Sequence, residues 1–500
     1  MEQIKKSKVL VIAAYGYLFL PFLIFALGWM KIYFSIPIAL CTLVCFVKAI
    51  KDSPGLWVPE LNRENLVKIL FIIAVVAIWV YYSGIGKFVF QNSDHTARNA
   101  LFNILVEYEW PVLNDVVNQS KLPEVSRTGL VYYIGFWLPS AIIGKIFGLR
   151  NGYYAQAVWA LLGICLTYYL ICARKKKLEV WPLTILILFS GLDIVGTYLT
   201  GTNLFTIDNT MHLEWWSGAY QYSSMTTQLF WVFNQAIPVW LCTMLILEQK
   251  HNRNMVFILS CSLITSTLPF IGLFAIVVFL CLTRHYETKE KNIFKQNGYV
   301  SHFIKDTCTL QNVLGGGIIG IFSALYLLGN ISGGVVNEAV TSPDLRNSLP
   351  KYIIFMLLEV GVYAVIVYKY NQTNKLFYFI CVLLAVIPPI RIGFSSDFCM
   401  RASIPALFVL MIIVIDTLRD SYSAKDTLVF RALIVALAIG SVTPLFEFTR
   451  TIAKTSERIH NNEIVYEEDS SFEDILNGYN FCGDAEKGVF FKYIAKKINQ

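Results

Sequence analysis

Charged residues are scarce in this 500-residue chain, at 15% of positions against 56% hydrophobic ones. A soluble domain carries about 25% charged residues, so the composition excludes one and indicates a polytopic membrane protein. No long polar linker divides the chain and no internal repeat is visible, which argues against a repeat array. The eleven cysteines form no CxxC pair and no metal-ligand spacing. Most sit inside apolar runs (Cys41, Cys45, Cys165, Cys172, Cys242, Cys261, Cys281, Cys381), where a thiol packs as a small apolar group. Cys399 and Cys482 fall in segments expected outside, where pairing is open to them but nothing requires it. The net charge of +7 is spread over short loops, so nucleic-acid binding is not expected. No small-residue cleavage site accompanies Lys5-Lys6-Ser7-Lys8 and the run Val9–Trp29. That segment therefore reads as a retained span rather than a signal peptide.

Apolar runs able to cross a bilayer are Val9–Trp29, Ile32–Val47, Ile69–Ile85, Tyr153–Ala173, Val180–Leu199 and Leu229–Leu247. Further runs are Val313–Leu328, Tyr352–Tyr368, Leu376–Ile390, Ser403–Leu418 and Leu428–Val442. Several are near the lower limit of about 17 residues for a span. Leu130–Gly148 is apolar enough to cross, but crossing there would put Arg174-Lys175-Lys176-Lys177 outside. Four consecutive basic residues beside a span favour the inner side. The run is therefore expected to lie on the outer surface, its apolar character broken by Pro139 and Lys145. Met255–Leu282 has Arg253 before it and Arg284, His285, Lys289, Lys291 and Lys295 after it. Both ends favour the inside, which predicts two short helices turning back near Pro269.

The expected fold is an all-α integral membrane bundle of about thirteen spans with the N-terminus inside and the C-terminus outside. Residues 1–446 form the bundle, with outer loops at 87–151, 200–227, 330–351 and 391–402 and an inner loop at 284–312. The long first outer loop carries the surface helix. Residues 447–500 form a small polar outer tail with an acidic stretch, Glu463, Glu467, Glu468 and Asp469.

Charge beside lipid is costly, so charged groups that converge on one membrane face mark a candidate site. Four outer segments carry them: Asp94–Asn99 with Glu107–Pro111, Asp208–Tyr222, Asn330–Lys351 and Arg391–Arg401. Moving a sugar from a lipid phosphate needs a carboxylate to deprotonate the acceptor hydroxyl. It also needs cations to stabilise the leaving phosphate, for which the planar fork of arginine is suited. Asp94 fits the base and is equally placed to cap the helix that follows. His95 could bind phosphate or tune Asp94, or be an ordinary surface histidine. Arg98, four residues on, shares the helical face of Asp94 and either pairs with it or reaches phosphate. Arg391 and Arg401 bracket Asp397 as a phosphate clamp, or meet lipid headgroups while Asp397 pairs. His212 and Glu214, beside Trp215 and Trp216, could line a sugar pocket or belong to an interfacial aromatic belt; Asp208 divides in the same way. Asp193 and Glu359 lie within apolar runs, hydrogen-bonded inside the bundle or functional.

Asp94 at the head of a long first outer loop, the segment Gly129-Leu130-Val131-Tyr132-Tyr133 through Lys145-Ile146-Phe147-Gly148, and the basic Arg174–Lys177 after the next span together resemble the GT-C superfamily of membrane glycosyltransferases. The likeness covers Ile69–Leu247 best. It implies that Leu130–Gly148 is a jaw helix and Asp94 the base. It further implies a polyprenyl-phosphate-linked sugar as donor substrate, with no cofactor. Transfer would invert the anomeric centre on the outer face of the cytoplasmic membrane, onto a cell-envelope glycan, lipid or protein. Two extra spans precede the acidic residue, and the loop has no DxD pair, which leaves a divalent metal doubtful. The tail lacks a WWDYG-type motif, which argues against an oligosaccharyltransferase. A polysaccharide polymerase or ligase would share the outer arginines. A transporter or flippase of lipid-linked saccharides would instead use polar groups and broken helices within the bundle, and a non-catalytic membrane scaffold would leave the outer carboxylates unexplained.

Overall fold

The computed structural model describes residues 6–115, 125–201, 212–218, 220–284, 298–331, 345–392, 396–476 and 480–497. The chain opens with β1 (Lys6–Ser7), α1 (Val9–Trp29) and α2 (Ile32–Asp52). After β2 (Leu56–Trp57), which pairs antiparallel with β1, comes α3 (Arg63–Tyr82). The next segment holds α4 (Asp94–Glu107), β3 (Leu113–Asp115), β4 (Arg127–Leu130) and α5 (Leu138–Phe147). Gly148 adopts φ +90°, a conformation that suits a residue without Cβ, and turns the chain sharply from α5 into α6 (Leu149–Lys175). A Cβ on Gly152 would stand 3.0 Å from the Gly144 Cα, so the two helices approach through their glycines. With ten residues, α5 is about 15 Å long, half a hydrocarbon core, and cannot cross alone.

The next apolar run is broken into α7 (Trp181–Leu188) and α8 (Asp193–Thr200). The central helix α9 (Met225–Glu248) is buried at every residue from Met225 to Ile246. The expected turn-back follows as α10 (Met255–Cys261) and α11 (Thr267–Thr283), with the bend at Ser262–Ser266, just before Pro269. Its two ends meet: Arg284 Nη1 donates to the His251 carbonyl at 2.9 Å, and Asn252 Nδ2 to the Cys281 carbonyl at 3.2 Å. Then come α12 (Tyr299–Thr307), α13 (Gly317–Leu327), α14 (Leu345–Met356), α15 (Val362–Asn371), α16 (Lys375–Val386), α17 (Asp397–Ala402) and α18 (Ile404–Ser423). The chain closes with α19 (Thr427–Gly440), α20 (Val442–His460), α21 (Phe472–Leu476) and β5 (Cys482–Asp484).

Among the described residues, eight helical segments are long and apolar enough to cross a membrane, or nine if the pair bent by 61° at Tyr299–Thr307 and Gln311–Leu327 is one span. The protein is thus an all-α, multi-pass membrane protein. The larger number expected from apolar runs is not reached by this measure. Some runs fold as short helices, such as α11 and α16, and α18 carries Asp416, Arg419 and Asp420.

The bundle has two distinct ends. One gathers basic groups. Lys8 Nζ reaches the Ile50 carbonyl, Arg174 pairs with Glu248 and Asp416, and Arg419 with Glu179. The other end holds α4, the three-stranded β3-β4-β5 sheet, α17 and α20. The boundary expected at 447 needs correction, because it falls inside α20, whose Glu447 and Arg450 are buried. Nor is the rest of the tail an appendage. β5 pairs with β4, Asp469 pairs with Lys87, and Lys496 N bonds the Trp29 carbonyl. Cys399 donates to the Gln221 carbonyl and Cys482 lies in β5, so the two are not bridged.

In a background without native cysteines, single cysteines at positions 94, 397 and 487 should react with an impermeant maleimide from one side of the membrane. A cysteine at 175 should react only from the other side. Opposite accessibility of 94 and 397 would overturn the two-ended arrangement.

Candidate functional site

Asp94 is the first residue of α4, and its carboxylate is not a cap. Asn92 Oδ1 accepts from the Asp94 N–H at 3.1 Å, and the Asp94 carboxylate instead takes Arg98 Nη2 at 2.7 Å. The pair is asymmetric in exposure, with Asp94 41% and Arg98 7% accessible. The Arg98 guanidinium lies 5.9 Å from the centre of the Phe233 ring in α9. Its Nη1 is buried without a hydrogen-bond partner among the described residues.

The same pattern recurs at α17. Asp397 is the first helical residue, and Arg401 four positions on pairs with it at 3.3 Å. Arg401 Nη1 donates to the Tyr133 hydroxyl at 2.7 Å, and the Tyr132 hydroxyl donates to that of Tyr133. Arg401 Nε, like Arg98 Nη1, is buried without a partner among the described residues. Burial disfavours the charge of Arg401, but Tyr133, Asp397, Tyr132 and Asp94 together hold its pKa above the usual arginine value. Tyr132 is pushed above the usual tyrosine value by burial and then by Tyr133, while Arg401 and Arg98 pull it down. Asp94, Arg98, Tyr132, Tyr133, Asp397 and Arg401 therefore share one electrostatic neighbourhood, although they come from three separate segments.

His95 does not belong to this surface. It is 1% exposed, and burial followed by the Arg98 charge pulls it down to about 3. The neutral ring donates from Nε2 to the Phe230 carbonyl at 3.1 Å and accepts at Nδ1 from Gln91 at 3.1 Å. The expectation that His95 binds phosphate is corrected, because neither ring nitrogen is left for a ligand. Arg391 is exposed, whereas Arg401 is largely buried and turned toward Tyr133. The guanidinium that shares Arg401's surroundings is Arg98.

Glu214 lies in a 3-10 turn, Leu213–Ser217, fully buried. It accepts from Gln221 Nε2 at 3.0 Å, Ser223 Oγ at 2.7 Å and the Ser224 N–H at 2.8 Å. Burial, then the nearby Asp193 carboxyl, raise it to about 8 despite those donors. His212 packs against Trp215 and Trp231 with ring centres 4.5 and 5.0 Å away. Burial, then Arg450, pull it down to about 3. Its Nδ1 is 3.6 Å from Glu214 Oε2. Asp193 accepts from Ser190 and Thr443 at 2.9 Å and from Trp216 at 3.3 Å, and the Glu359 carboxyl lies nearby. Trp216 is thus buried and bonded, whereas Trp215 is 43% exposed.

The two groups are joined. Ser396, beside Asp397, donates to Gln221 Oε1 at 3.0 Å, while the other end of that amide holds Glu214. Three of the four expected outer segments therefore converge. Most of the fourth, and Asp208, lie outside the described residues. Sequence reasoning missed the chemistry of Tyr133, Gln221, Trp231, Glu447 and Arg450. Only the Glu447/Arg450 spacing offered a local signal, an i,i+3 ion pair on one helical face. Among the described residues, no cluster of three or more His, Cys, Asp or Glu is arranged to hold a metal ion.

No family model matches the chain, and neither a protein of curated function nor a solved structure matches it.

Because Glu214 binds its proton more tightly folded than unfolded, it destabilises the fold increasingly as pH rises from about 4.5 to about 8, and no further above that. Glu214→Gln, which cannot ionise, should remove a loss of roughly 3–4 kcal/mol between about pH 5 and pH 8. Thermal unfolding in detergent across that range measures it; an unchanged slope in the variant would reject the assignment.

Proposed function

We propose that this protein is a membrane glycosyltransferase of GT-C type. It moves a sugar from a polyprenyl-phosphate donor to a cell-envelope acceptor at the outer face of the cytoplasmic membrane. The observation that carries the reading is the pair of half-satisfied guanidiniums, Arg98 and Arg401, flanking Tyr132 and Tyr133 beside the part-exposed Asp94 carboxylate. The basic end of the bundle faces the cytoplasm by the bias of Lys and Arg, which places Asp94 outside. The short hairpin helix α5 takes the part of the jaw.

Asp94 accepts the proton of the acceptor hydroxyl as its oxygen attacks the anomeric carbon. The bond from that carbon to the phosphate oxygen breaks, and the electron pair leaves with the phosphate. Arg98 Nη1 and Arg401 Nε supply donors for the charge that develops there. Attack opposite the leaving group inverts the anomeric centre.

A transporter or flippase of lipid-linked saccharides is the second reading. It is favoured by the Asp193–Glu359 carboxyl pair within candidate spans and by the break in α9 at Val232 (φ −138°, ψ 35°).

Reconstituted protein should transfer label from a polyprenyl-phosphate sugar, and Asp94→Asn should lower turnover by about a hundredfold or more with insertion intact. Arg98→Lys and Arg401→Lys keep charge but lose the fork, and each should lower kcat/KM by roughly tenfold or more. Near-normal turnover in Asp94→Asn would remove it as the base. Movement of the intact lipid-linked sugar across the bilayer without transfer would favour the transporter.

A further inference from the structure

Of the three buried amide side chains in α9, one has a protein partner at both nitrogen and oxygen and two have none among the described residues. Gln228 donates to the Ser223 carbonyl at 2.8 Å and accepts from Trp240 Nε1 at 2.9 Å. Asn234 and Gln235, both 0% exposed, have neither amide oxygen nor amide nitrogen bonded among the described residues. Buried polar groups in a folded protein are nearly always paired, and away from water the need is greater. These four atoms are suited to a ligand that both donates and accepts.

Their surroundings are two of the places where the backbone departs from regular helix inside the bundle. The α9 break at Val232 lies two residues before Asn234. The α10–α11 bend reaches α9 through Ser266 Oγ, which donates to the Gln235 carbonyl at 3.1 Å. Irregular backbone at this depth is tolerated where protein buries it or where it lines a polar site, and broken helices are a recurrent way to build one. More unpartnered groups lie around these breaks. Thr267 Oγ1 begins α11, and Trp137 Nε1 belongs to a ring 6.2 Å from Phe233, the residue before Asn234. Phe233 in turn carries the Arg98 guanidinium. The circuit closes through α17, because a Cβ on Gly272 of α11 would stand 2.0 Å from the Ala402 carbonyl oxygen, next to Arg401.

We infer that Asn234 and Gln235, with Trp137 and Thr267, bind the hydroxyl groups of a neutral glycosyl ring whose phosphate is held by Arg98 and Arg401. The inference rests on the reading of those arginines as a phosphate site. It adds what holds the sugar. Amides match hydroxyls because each offers donors and an acceptor, and no charged side chain lies among the four, which fits an uncharged sugar.

The test uses full-length protein in lipid nanodiscs, with undecaprenyl phosphate and its glucosyl, galactosyl and mannosyl phosphodiesters as probes, and the variants Asn234→Leu and Gln235→Met. The unaltered protein should bind one glycosylated probe about tenfold or more tighter than undecaprenyl phosphate. Both variants should fold with an unchanged or higher Tm, since the amides they lose have no protein partner. They should lose that preference while still binding undecaprenyl phosphate. Retained preference in both variants overturns the inference. So does a fall in Tm together with loss of all binding, which would mark the amides as structural. Binding of undecaprenyl phosphate without preference for any sugar overturns the inference and leaves the arginine site standing. Failure of the unaltered protein to bind any of the four lipids removes the phosphate reading, and the sugar site with it.

Discussion

The carbonyl of Phe230 holds the candidate site in place. It belongs to α9, the helix that runs fully buried through the bundle, and the break at Val232 leaves it available to side chains. Asn92 Nδ2 takes it at 2.8 Å and His95 Nε2 at 3.1 Å. These bonds pin the first turn of α4 to the core, and with it the direction in which Asp94 and Arg98 leave the helix. Burial keeps the His95 ring neutral down to about pH 3, so the anchor survives any mild acidity. The histidine that stood out beside the carboxylate in the sequence therefore serves the site from behind, as a fixed donor.

From that anchor a continuous polar path runs along one end of the bundle. It passes from Asp94 and Arg98, by Tyr132 and Tyr133, to Arg401 and Asp397, then through Ser396 and Gln221 to Glu214 and His212. Beyond His212, Trp231 donates to Glu447 at 2.9 Å, and Glu447 pairs with Arg450. The path runs from part-exposed carboxylates, Asp94 and Asp397, to Glu214 and Glu447, which lie too deep to be solvated. Breaking one partner of a buried ion pair costs about 3–5 kcal/mol, so Glu447 and Arg450, each 2% exposed, are mutually required. Gln221 is the joint: one amide ties Glu214 to the loop that presents Asp397.

Short-range features were legible in the sequence and long-range ones were not. The first span begins and ends where its apolar run does, and the turn-back near Pro269 followed from basic residues at both ends of one run. The Asp94–Arg98 pair followed from spacing alone, because i and i+4 share a helical face. The partnership of Arg98 with Arg401 could not be read, since three hundred residues and many helices separate them and no local rule selects which arginines meet. Proximity in sequence suggested Arg391 instead. The boundary at 447 failed for a related reason: α20 looks polar, and its buried ion pair, Glu447 with Arg450, is invisible to any hydropathy rule. Tyr133 carried no signal, because a tyrosine in an apolar run reads as packing until its hydroxyl partner is known.

The two arginines are arranged alike, and the likeness bears on chemistry. Each sits four residues after a carboxylate that opens its helix, and each retains one buried nitrogen without a partner among the described residues. The quartet of Asp94, Arg98, Asp397 and Arg401 is electrically neutral by formal charge, so it can stay folded without an anion between its members. Neutrality also limits how strongly a singly charged phosphodiester is held, since each guanidinium is already half compensated. Under the proposed function, as the bond to the sugar breaks, negative charge builds on the departing phosphate oxygen, and the unpartnered N–H groups then gain the most. Stabilisation that grows along the reaction coordinate accelerates it, whereas uniform tight binding of the donor would not. Under the proposed function, pairing each arginine with its own aspartate is thus what turns a phosphate-binding site into one biased toward the leaving group.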